Sequence, residues 1–227
     1  MSLSKILSTT NRAGIATAIA VLFHAIGLVG YLFASDTSFR YTTPLNQLLM
    51  FGLLLYTLQE HSLRLWLFII ISFVTGLLVE MIGTNTGLLF GDYRYGDVLG
   101  PSINHVPWII GINWVLVIYC CGSTMQLILQ KWGESIGLSD RMKRLSLVID
   151  GALLAVLFDW IMEPVAIQLG YWSWSGSIPF FNYLCWFLIS IPLLMLFPYR
   201  PTATPNKFAF HLFLIQAFFF LLLRTFL

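Results

Sequence analysis

Long apolar runs follow one another along almost the whole chain, and no other feature constrains its fold as strongly. Most runs have about 17–25 residues, the length that an α-helix needs to cross the hydrocarbon core of a bilayer. They cover residues 13–33, 44–59, 63–83, 107–129, 145–168, 182–198 and 207–226, and the second is the shortest. The sequence therefore predicts an all-α membrane protein, a bundle of about seven transmembrane helices.

Composition supports several membrane spans rather than a soluble enzyme with one anchor. Of the 227 residues, 58% are hydrophobic and only 10% are charged, whereas soluble domains carry roughly 25% charged residues. No connection between runs is long enough for a soluble domain, so we expect residues 1–227 to form a single integral-membrane domain.

The first run lacks a small-residue cleavage site and is expected to be a retained helix. The net charge of +2 includes no basic tract, so nothing indicates nucleic acid as a partner.

The basic residues are distributed unevenly between the two ends of the predicted bundle. Nine lie at one end: Lys5, Arg12, Arg64, Lys131, Arg141, Lys143, Arg144, Arg200 and Lys207. Three lie at the other end: Arg40, Arg94 and Arg224. Since Lys and Arg are concentrated in cytoplasmic loops, we expect a multi-pass protein of the cytoplasmic membrane with its N-terminus inside and its C-terminus outside. The connections 84–106 and 169–181 are then both on the outer side.

The fifth apolar run contains two acidic residues, Asp159 and Glu163. A spacing of four places both carboxyls on one face of a helix, about one turn apart. Ionisable groups at membrane depth usually face a protein interior or a water-filled cavity and mark function. Because like charges in a low dielectric do not both ionise cheaply, at least one of the two is expected to keep its proton near neutral pH. A hydrogen-bonded structural pair is the alternative.

The two outer connections share an order of features: a carboxylate, an aromatic-x-aromatic motif beside glycines, a proline, and a tryptophan seven residues after the proline. In the first these are Glu80, GDYRYG at 91–96, Pro107 and Trp114; in the second they are Glu163, GYWSWSG at 170–176, Pro179 and Trp186. The pattern suggests a parallel internal repeat of helices three–four and five–six. Sites in membrane proteins often lie at repeat interfaces, so Glu80 and Glu163 are expected to face each other.

These features define the candidate site. The candidate catalytic residues are the carboxyls Glu80, Asp159 and Glu163. The candidate substrate-binding residues are Asn85, Tyr93, Tyr95, His105, Asn113, Trp114, Tyr171, Trp172, Trp174 and Asn182. For the aromatic members, an interfacial aromatic belt is an equally good explanation. No nucleotide motif, metal-binding spacing or cysteine cluster is present, so the chemistry is expected to need neither a metal nor a cofactor.

The motifs resemble those of the integral-membrane carotenoid biosynthesis proteins. The resemblance rests on Glu80 with GTNTGLLFGDYRYGDVLGP, then VPW, DWIMEP, GYWSW and IPFFNYLCWF, and it covers roughly residues 75–190. That family includes carotenoid 1′,2′-hydratases of the gamma-carotene 1′-hydratase and bisanhydrobacterioruberin hydratase type. The family pattern has Asp before the proline where this chain has Glu163, so the carboxyl is kept but its reach changes.

The residues and the resemblance together imply a hydratase that acts on a carotenoid such as gamma-carotene or lycopene. One of the three acids would protonate the terminal C1′=C2′ double bond of an acyclic end group. Aromatic rings would stabilise the tertiary carbocation by about 2 kcal/mol, and a second carboxylate would activate water to give a tertiary hydroxyl. A carotenoid cyclase that uses the same protonation step and a proton-coupled transporter are the alternatives. Membrane lipid and other carotenoid-pathway enzymes are further expected partners.

Overall fold

The computed structural model describes residues 3–33, 37–200 and 203–227, with side chains from residue 11 onward apart from residues 37 and 38. This part of the chain contains seven α-helices. They are α1 (Leu3–Phe33), α2 (Thr43–Thr57), α3 (Leu63–Thr86), α4 (Ile109–Trp132), α5 (Asp140–Gln168), α6 (Phe180–Leu196) and α7 (Lys207–Phe226). Each apolar run corresponds to one helix, and the predicted all-α membrane bundle is confirmed.

The helices differ in whether they are long enough to cross a bilayer. Five are long and apolar enough: α1 from Asn11 onward, α3, α4, α5 and α7. The helix α6 is apolar but has 17 residues, and α2 has 15. At 1.5 Å per residue these two measure roughly 26 and 23 Å, less than the ~30 Å hydrocarbon core of a bilayer. Seven complete spans therefore stay a prediction.

Local signals explain where several helices begin and end. The Ser62 hydroxyl accepts a hydrogen bond from Leu65 N at the start of α3, and the Ser139 hydroxyl accepts one from Met142 N at the start of α5. Such caps satisfy one of the free amides of the first turn. At the end of α3, Gly87 adopts φ +67°, a left-handed conformation that glycine reaches without steric penalty.

The helix α4 lies at the centre of the bundle. In its membrane-crossing window 83% of the residues are buried, against 17% in α1. It packs against α2, α3, α5, α6 and α7, while α1 packs against α2 and α7 at the periphery. A helix that is apolar on all sides belongs in an interior. The exposed apolar side chains of α1 instead suit contact with lipid.

The connections 84–106 and 169–181, which we expect on the outer side and call the outer connections below, form short strands that the all-α prediction did not include. Strand β1 (Tyr93–Tyr95) pairs antiparallel with β4 (Trp172–Trp174), and β2 (Ser102–Ile103) pairs with β3 (Val106–Pro107). The β1–β4 pair is extended by hydrogen bonds from Gly96 N to Tyr171 O (2.8 Å) and from Ser175 N to Asp92 O (3.0 Å). The two aromatic-x-aromatic motifs thus form one small sheet that joins the two connections.

Candidate active site

The carboxyl of Glu80, near the end of α3, is buried and accepts three hydrogen bonds from aromatic side chains. Its Oε2 accepts from the hydroxyls of Tyr93 and Tyr95, the latter at 2.8 Å, and its Oε1 accepts from Trp114 Nε1 at 3.0 Å. Burial, followed by the charge of Glu80, raises the pKa of Tyr93 and Tyr95 well above the ordinary tyrosine value. Both hydroxyls therefore keep their protons and serve as donors.

The carboxyls of Asp159 and Glu163 lie one turn apart on α5 and are 1% and 2% exposed. Glu163 Oε2 accepts hydrogen bonds from Trp172 Nε1 (2.9 Å) and Trp174 Nε1 (3.0 Å). Asn182 Nδ2 donates to Asp159 Oδ2 at 2.7 Å and lies 3.5 Å from Glu163 Oε1. A single amide at the start of α6 thus contacts both acids and fixes their relative position.

All three carboxyls line one small cavity of about 20 Å³, called the acid cavity below. The other walls include the four aromatic residues of β1 and β4, together with Asn113, Asn182 and Trp186. A cavity of about 10–15 Å³ is enough for one water molecule if polar partners are available. The acid cavity therefore has the size and the polar lining to hold one water among three acids and four aromatic rings.

A larger cavity of about 310 Å³ adjoins the acid cavity and is called the apolar pocket below. Its lining residues come from α1, α2, α4, α5, α7 and the connections next to them. Four residues line both cavities: Ile110, Asn113, Met162 and Trp172. Three apolar residues of its lining are exposed on the surface of the bundle, Phe23 (43%), Ile26 (49%) and Leu45 (67%). The pocket therefore extends from the acid cavity to the apolar outer surface of the bundle.

Tyr171 belongs to the wall of the apolar pocket and lines only that cavity. Its hydroxyl lies 2.9 Å from the hydroxyl of Tyr31 and 2.7 Å from that of Thr43, which in turn lies 2.6 Å from Tyr31. The three hydroxyls form a closed ring that ties α1 and α2 to the second outer connection. Burial, followed by the neighbouring Tyr31, raises the pKa of Tyr171, so its hydroxyl stays protonated.

Asn85 and His105 line neither the acid cavity nor the apolar pocket, so their role as substrate-binding residues stays a prediction. Asn85 is exposed, and its Nδ2 donates to Met81 O (2.8 Å) and Asn104 O (3.3 Å). His105 is also exposed and adopts φ +67° beside Asn104 at φ +48°. Two such residues between paired strands form the tight turn of a hairpin, and His105 lies in this turn.

The remaining predicted residues line the acid cavity or the apolar pocket, except Trp114, which donates a hydrogen bond to Glu80. Arg94 and Ser173 oppose each other at the middle of the β1–β4 pair, so Tyr93 faces Trp174 and Tyr95 faces Trp172. This register is what a two-fold relation between the motifs requires. The halves also differ in their acids: Asp159 lies four residues before Glu163, whereas Gly76 lies four residues before Glu80. The second acid is therefore present in only one half.

The first, second and last helices contribute residues that were not predicted from the sequence as part of the site. The polar and aromatic residues that these helices add to the apolar pocket are Phe23, His24, Tyr31, Thr43, Asn46, Gln47, Gln216, Phe219 and Phe220. Asn46 and Gln47 are adjacent polar residues inside an otherwise apolar run, and this was the available signal. The buried cysteines Cys120, Cys121 and Cys185 are free, and no three His, Cys, Asp or Glu of the described residues form a metal-type group.

The fold and the site together define a helical membrane protein in which three buried carboxyls meet beneath an aromatic sheet and beside an apolar pocket. A family model described as carotenoid biosynthesis protein matches residues 41–226, and the chain belongs to that family. The match confirms the resemblance seen in the motifs and extends it to α2 and α7.

One relative is the bisanhydrobacterioruberin hydratase of Haloarcula japonica, which is 23% identical over 126 residues. That alignment covers 53% of this chain and 40% of the relative, so the chain spans less than half of the relative's length. No solved structure matches the chain.

Proposed function

We propose that this protein is a carotenoid hydratase that adds water across the terminal C1′=C2′ double bond of an acyclic end group to give a tertiary alcohol. The observation that carries the proposal is the acid cavity, in which three buried carboxyls and four aromatic side chains surround a space of about 20 Å³. The family of the chain and the name of its hydratase relative support a carotenoid as the substrate.

The first step is protonation of the alkene. A carboxylic acid of the Asp159–Glu163 pair or Glu80 transfers its proton to C2′, and the π electrons of the double bond form the new C–H bond. This leaves a tertiary carbocation at C1′ and a carboxylate on the protein. A positioned general acid contributes typically 10²–10⁴-fold to such a step.

The surroundings of the acid cavity suit the cation. Trp172, Trp174, Tyr93 and Tyr95 line it, and the negative faces of aromatic rings attract a cation by about 2 kcal/mol when both are desolvated. The Trp N–H and Tyr O–H groups donate to the carboxylates, which holds the rings and acids in fixed positions. Such preorganised groups stabilise charge that develops during a reaction.

The second step is capture of the cation by water. A water oxygen attacks C1′, and one of its protons passes to a second carboxylate of the same cavity. This proton then passes within the acid cavity from the second carboxylate to the first, so the acid is regenerated. The net change is alkene plus water to alcohol, with no electron transfer.

The proposed setting is a multi-pass protein of the cytoplasmic membrane with the N-terminus inside. With that orientation the sheet of β1 and β4 lies at the outer face, where water is available, and the long polyene stays in the lipid. Membrane lipid and other enzymes of carotenoid synthesis are the proposed surroundings.

The test is a pigment profile of a bacterial host that makes lycopene or gamma-carotene and expresses this protein. We expect a more polar product heavier by one water, which disappears in the Glu80→Gln, Asp159→Asn and Glu163→Gln variants. Asp150→Asn is the matched control, since Asp150 lies on the same helix α5 but is exposed and bonded to Ser146.

The other outcomes of this profile are equally informative. A product of unchanged mass that absorbs at shorter wavelength would mean cyclisation instead of hydration. An unchanged pigment profile, with the protein present in the membrane, would overturn the hydratase proposal for these two carotenoids.

A further inference from the structure

The apolar pocket has features of a binding site for a long hydrocarbon. Its volume of about 310 Å³ lies at the lower end of the roughly 300–1,000 Å³ typical of ligand pockets. Much of its wall is apolar, including Phe158, Phe219 and Phe220, and it shares four lining residues with the acid cavity. A ligand in this pocket would be in contact with the wall of the acid cavity.

The pocket is open on the side where a membrane-dissolved ligand would arrive. Phe23 and Ile26 on α1 and Leu45 on α2 are exposed members of its lining. Because α1 is the least buried of the membrane-crossing helices, its exposed apolar side chains suit lipid. A polyene end can therefore enter from the lipid between α1 and α2 without crossing water.

The geometry of α5 decides which carboxyl such a ligand meets. Phe158 and Met162 lie on one face of this helix and line the apolar pocket, and Met162 also lines the acid cavity. At about 100° per residue, Asp159 is closer to that face than Glu163 is. Glu80 belongs to α3, which contributes no residue to the described lining of the apolar pocket.

From these observations we propose that the apolar pocket binds the acyclic end group of a polyisoprenoid hydrocarbon, which enters between α1 and α2, and presents its terminal double bond to Asp159. This inference rests on the proposed function for the identity of the ligand. It adds the binding site, the direction of entry and the carboxyl that meets the substrate.

Polar groups at the junction of the two cavities suit the product of hydration. Gln47 Nε2 donates to Asn113 Oδ1 at 3.2 Å, and Asn113 lines both cavities. The Oε1 atom of Gln47 and the Oδ1 atom of Asn46 are buried without a hydrogen-bond partner in the described part of the chain. Unpaired buried acceptors are rare. A hydrocarbon has no donor for them, whereas water and a tertiary alcohol do.

The test fills the pocket at Gly27. A Cβ atom at this lining residue would lie 3.3 Å from Phe219 Cε2, so a leucine side chain there must occupy pocket space. Gly14→Leu is the matched control, because Gly14 lies exposed on the same helix and, among the described side chains, none lies within 4 Å of the added Cβ. Both substitutions are made in the Asp159→Asn protein, so that turnover does not deplete the bound hydrocarbon.

The measurement is the amount of lycopene that copurifies per protein in detergent from a lycopene-producing host, read from visible absorbance and extraction. We expect Gly27→Leu to lower it roughly ten-fold or more relative to Gly14→Leu. The double variant Gly27→Leu with Phe219→Ala should recover bound pigment, since it restores the space. A protein that had merely misfolded would not recover in this way.

The outcomes separate this inference from the proposed function. Equal pigment in the Gly27→Leu and Gly14→Leu proteins would overturn the pocket assignment, even if the wild-type protein makes the alcohol. If instead the wild-type protein makes no alcohol but pigment binding depends on Gly27, the pocket assignment stands and the hydratase proposal fails.

Discussion

Trp114 and Trp186 stack face to face, with ring centroids 4.0 Å apart and an interplanar angle of 5°. Each lies seven residues after a proline, in two helices that follow the two outer connections. Trp114 also donates its N–H to Glu80 (3.0 Å), while Trp186 lines the acid cavity. This stack therefore joins the two halves of the site.

The division of roles among the acids can be tested by isotope exchange in membranes suspended in D₂O. A carboxyl exchanges its proton with the solvent, so protonation of the substrate places deuterium at C2′ of the alcohol and of any alkene that re-forms. Asn cannot act as this acid. Asp159→Asn should therefore slow the incorporation of deuterium into both the alcohol and the alkene by roughly 10²–10⁴-fold. Asp150→Asn should leave both rates unchanged. Labelling of the alkene at the wild-type rate in Asp159→Asn would contradict the assignment.

Gln47→Met should separate protonation from capture by water. Methionine has a similar length but offers no acceptor for water or for the new hydroxyl, and one lost hydrogen bond corresponds to a roughly 5- to 10-fold effect. We expect the alcohol to decrease by that factor while deuterium still enters the re-formed alkene. Gln59→Met, at the opposite end of the bundle beside a different cavity, is the control. An equal decrease in the alcohol and in the deuterium of the re-formed alkene would argue against a role for Gln47 after protonation.

Tyr95→Phe should lower thermal stability and hydration together, because it keeps the ring but removes the donor that lies 2.8 Å from Glu80 Oε2. The loss of such a bond costs about 1–3 kcal/mol in the free energy of unfolding. The melting temperature in detergent measures this loss of stability. Tyr41→Phe is the control, since Tyr41 is 49% exposed. A melting temperature equal to that of the wild-type protein would show that the bond is not needed.

The difference in stability between the wild-type protein and the Tyr95→Phe variant depends on pH in a defined direction. Burial raises the pKa of Tyr95 in the folded protein, whereas an unfolded tyrosine ionises at about pH 10. The contribution of Tyr95 to stability is therefore fully present below about pH 10 and decreases as the pH rises above it. Between neutral pH and about pH 9, the gap in melting temperature between wild type and Tyr95→Phe should stay constant.

Gly76→Ala should destabilise the protein although alanine favours helices. A methyl group at this buried glycine of α3 would lie 2.5 Å from Trp114 Cγ, and overpacking of this kind costs about 1–3 kcal/mol. Gly52→Ala on α2 is the control, because no atom lies within 4 Å of its added Cβ. The melting temperature should fall in the first variant and be unchanged or higher in the second. Equal melting temperatures would mean that Trp114 can shift without cost.

The sequence was sufficient to predict the membrane bundle and the acidic and aromatic members of the site. Backbone amides in lipid must be paired within their own segment, so the length of each apolar run determined its helix with no information from neighbours. The acids were recognisable because a carboxyl is costly in such a run. Asp159, Glu163 and Glu80 therefore stood out before any contact between them was known.

Only the tertiary structure decided which residues meet. Tyr93 and Trp174 are adjacent strand partners although 81 positions separate them in the chain, and no local pattern specifies such a pairing. The apolar pocket likewise combines Gly27, Gln47 and Phe219 from three helices, and no single segment indicates that these three residues meet. His105 was predicted as a site residue from its proximity in sequence, and it lies in a hairpin turn with positive φ and lines neither cavity. Local hydrogen bonding determines the helices, whereas cavities and partners depend on how those helices pack.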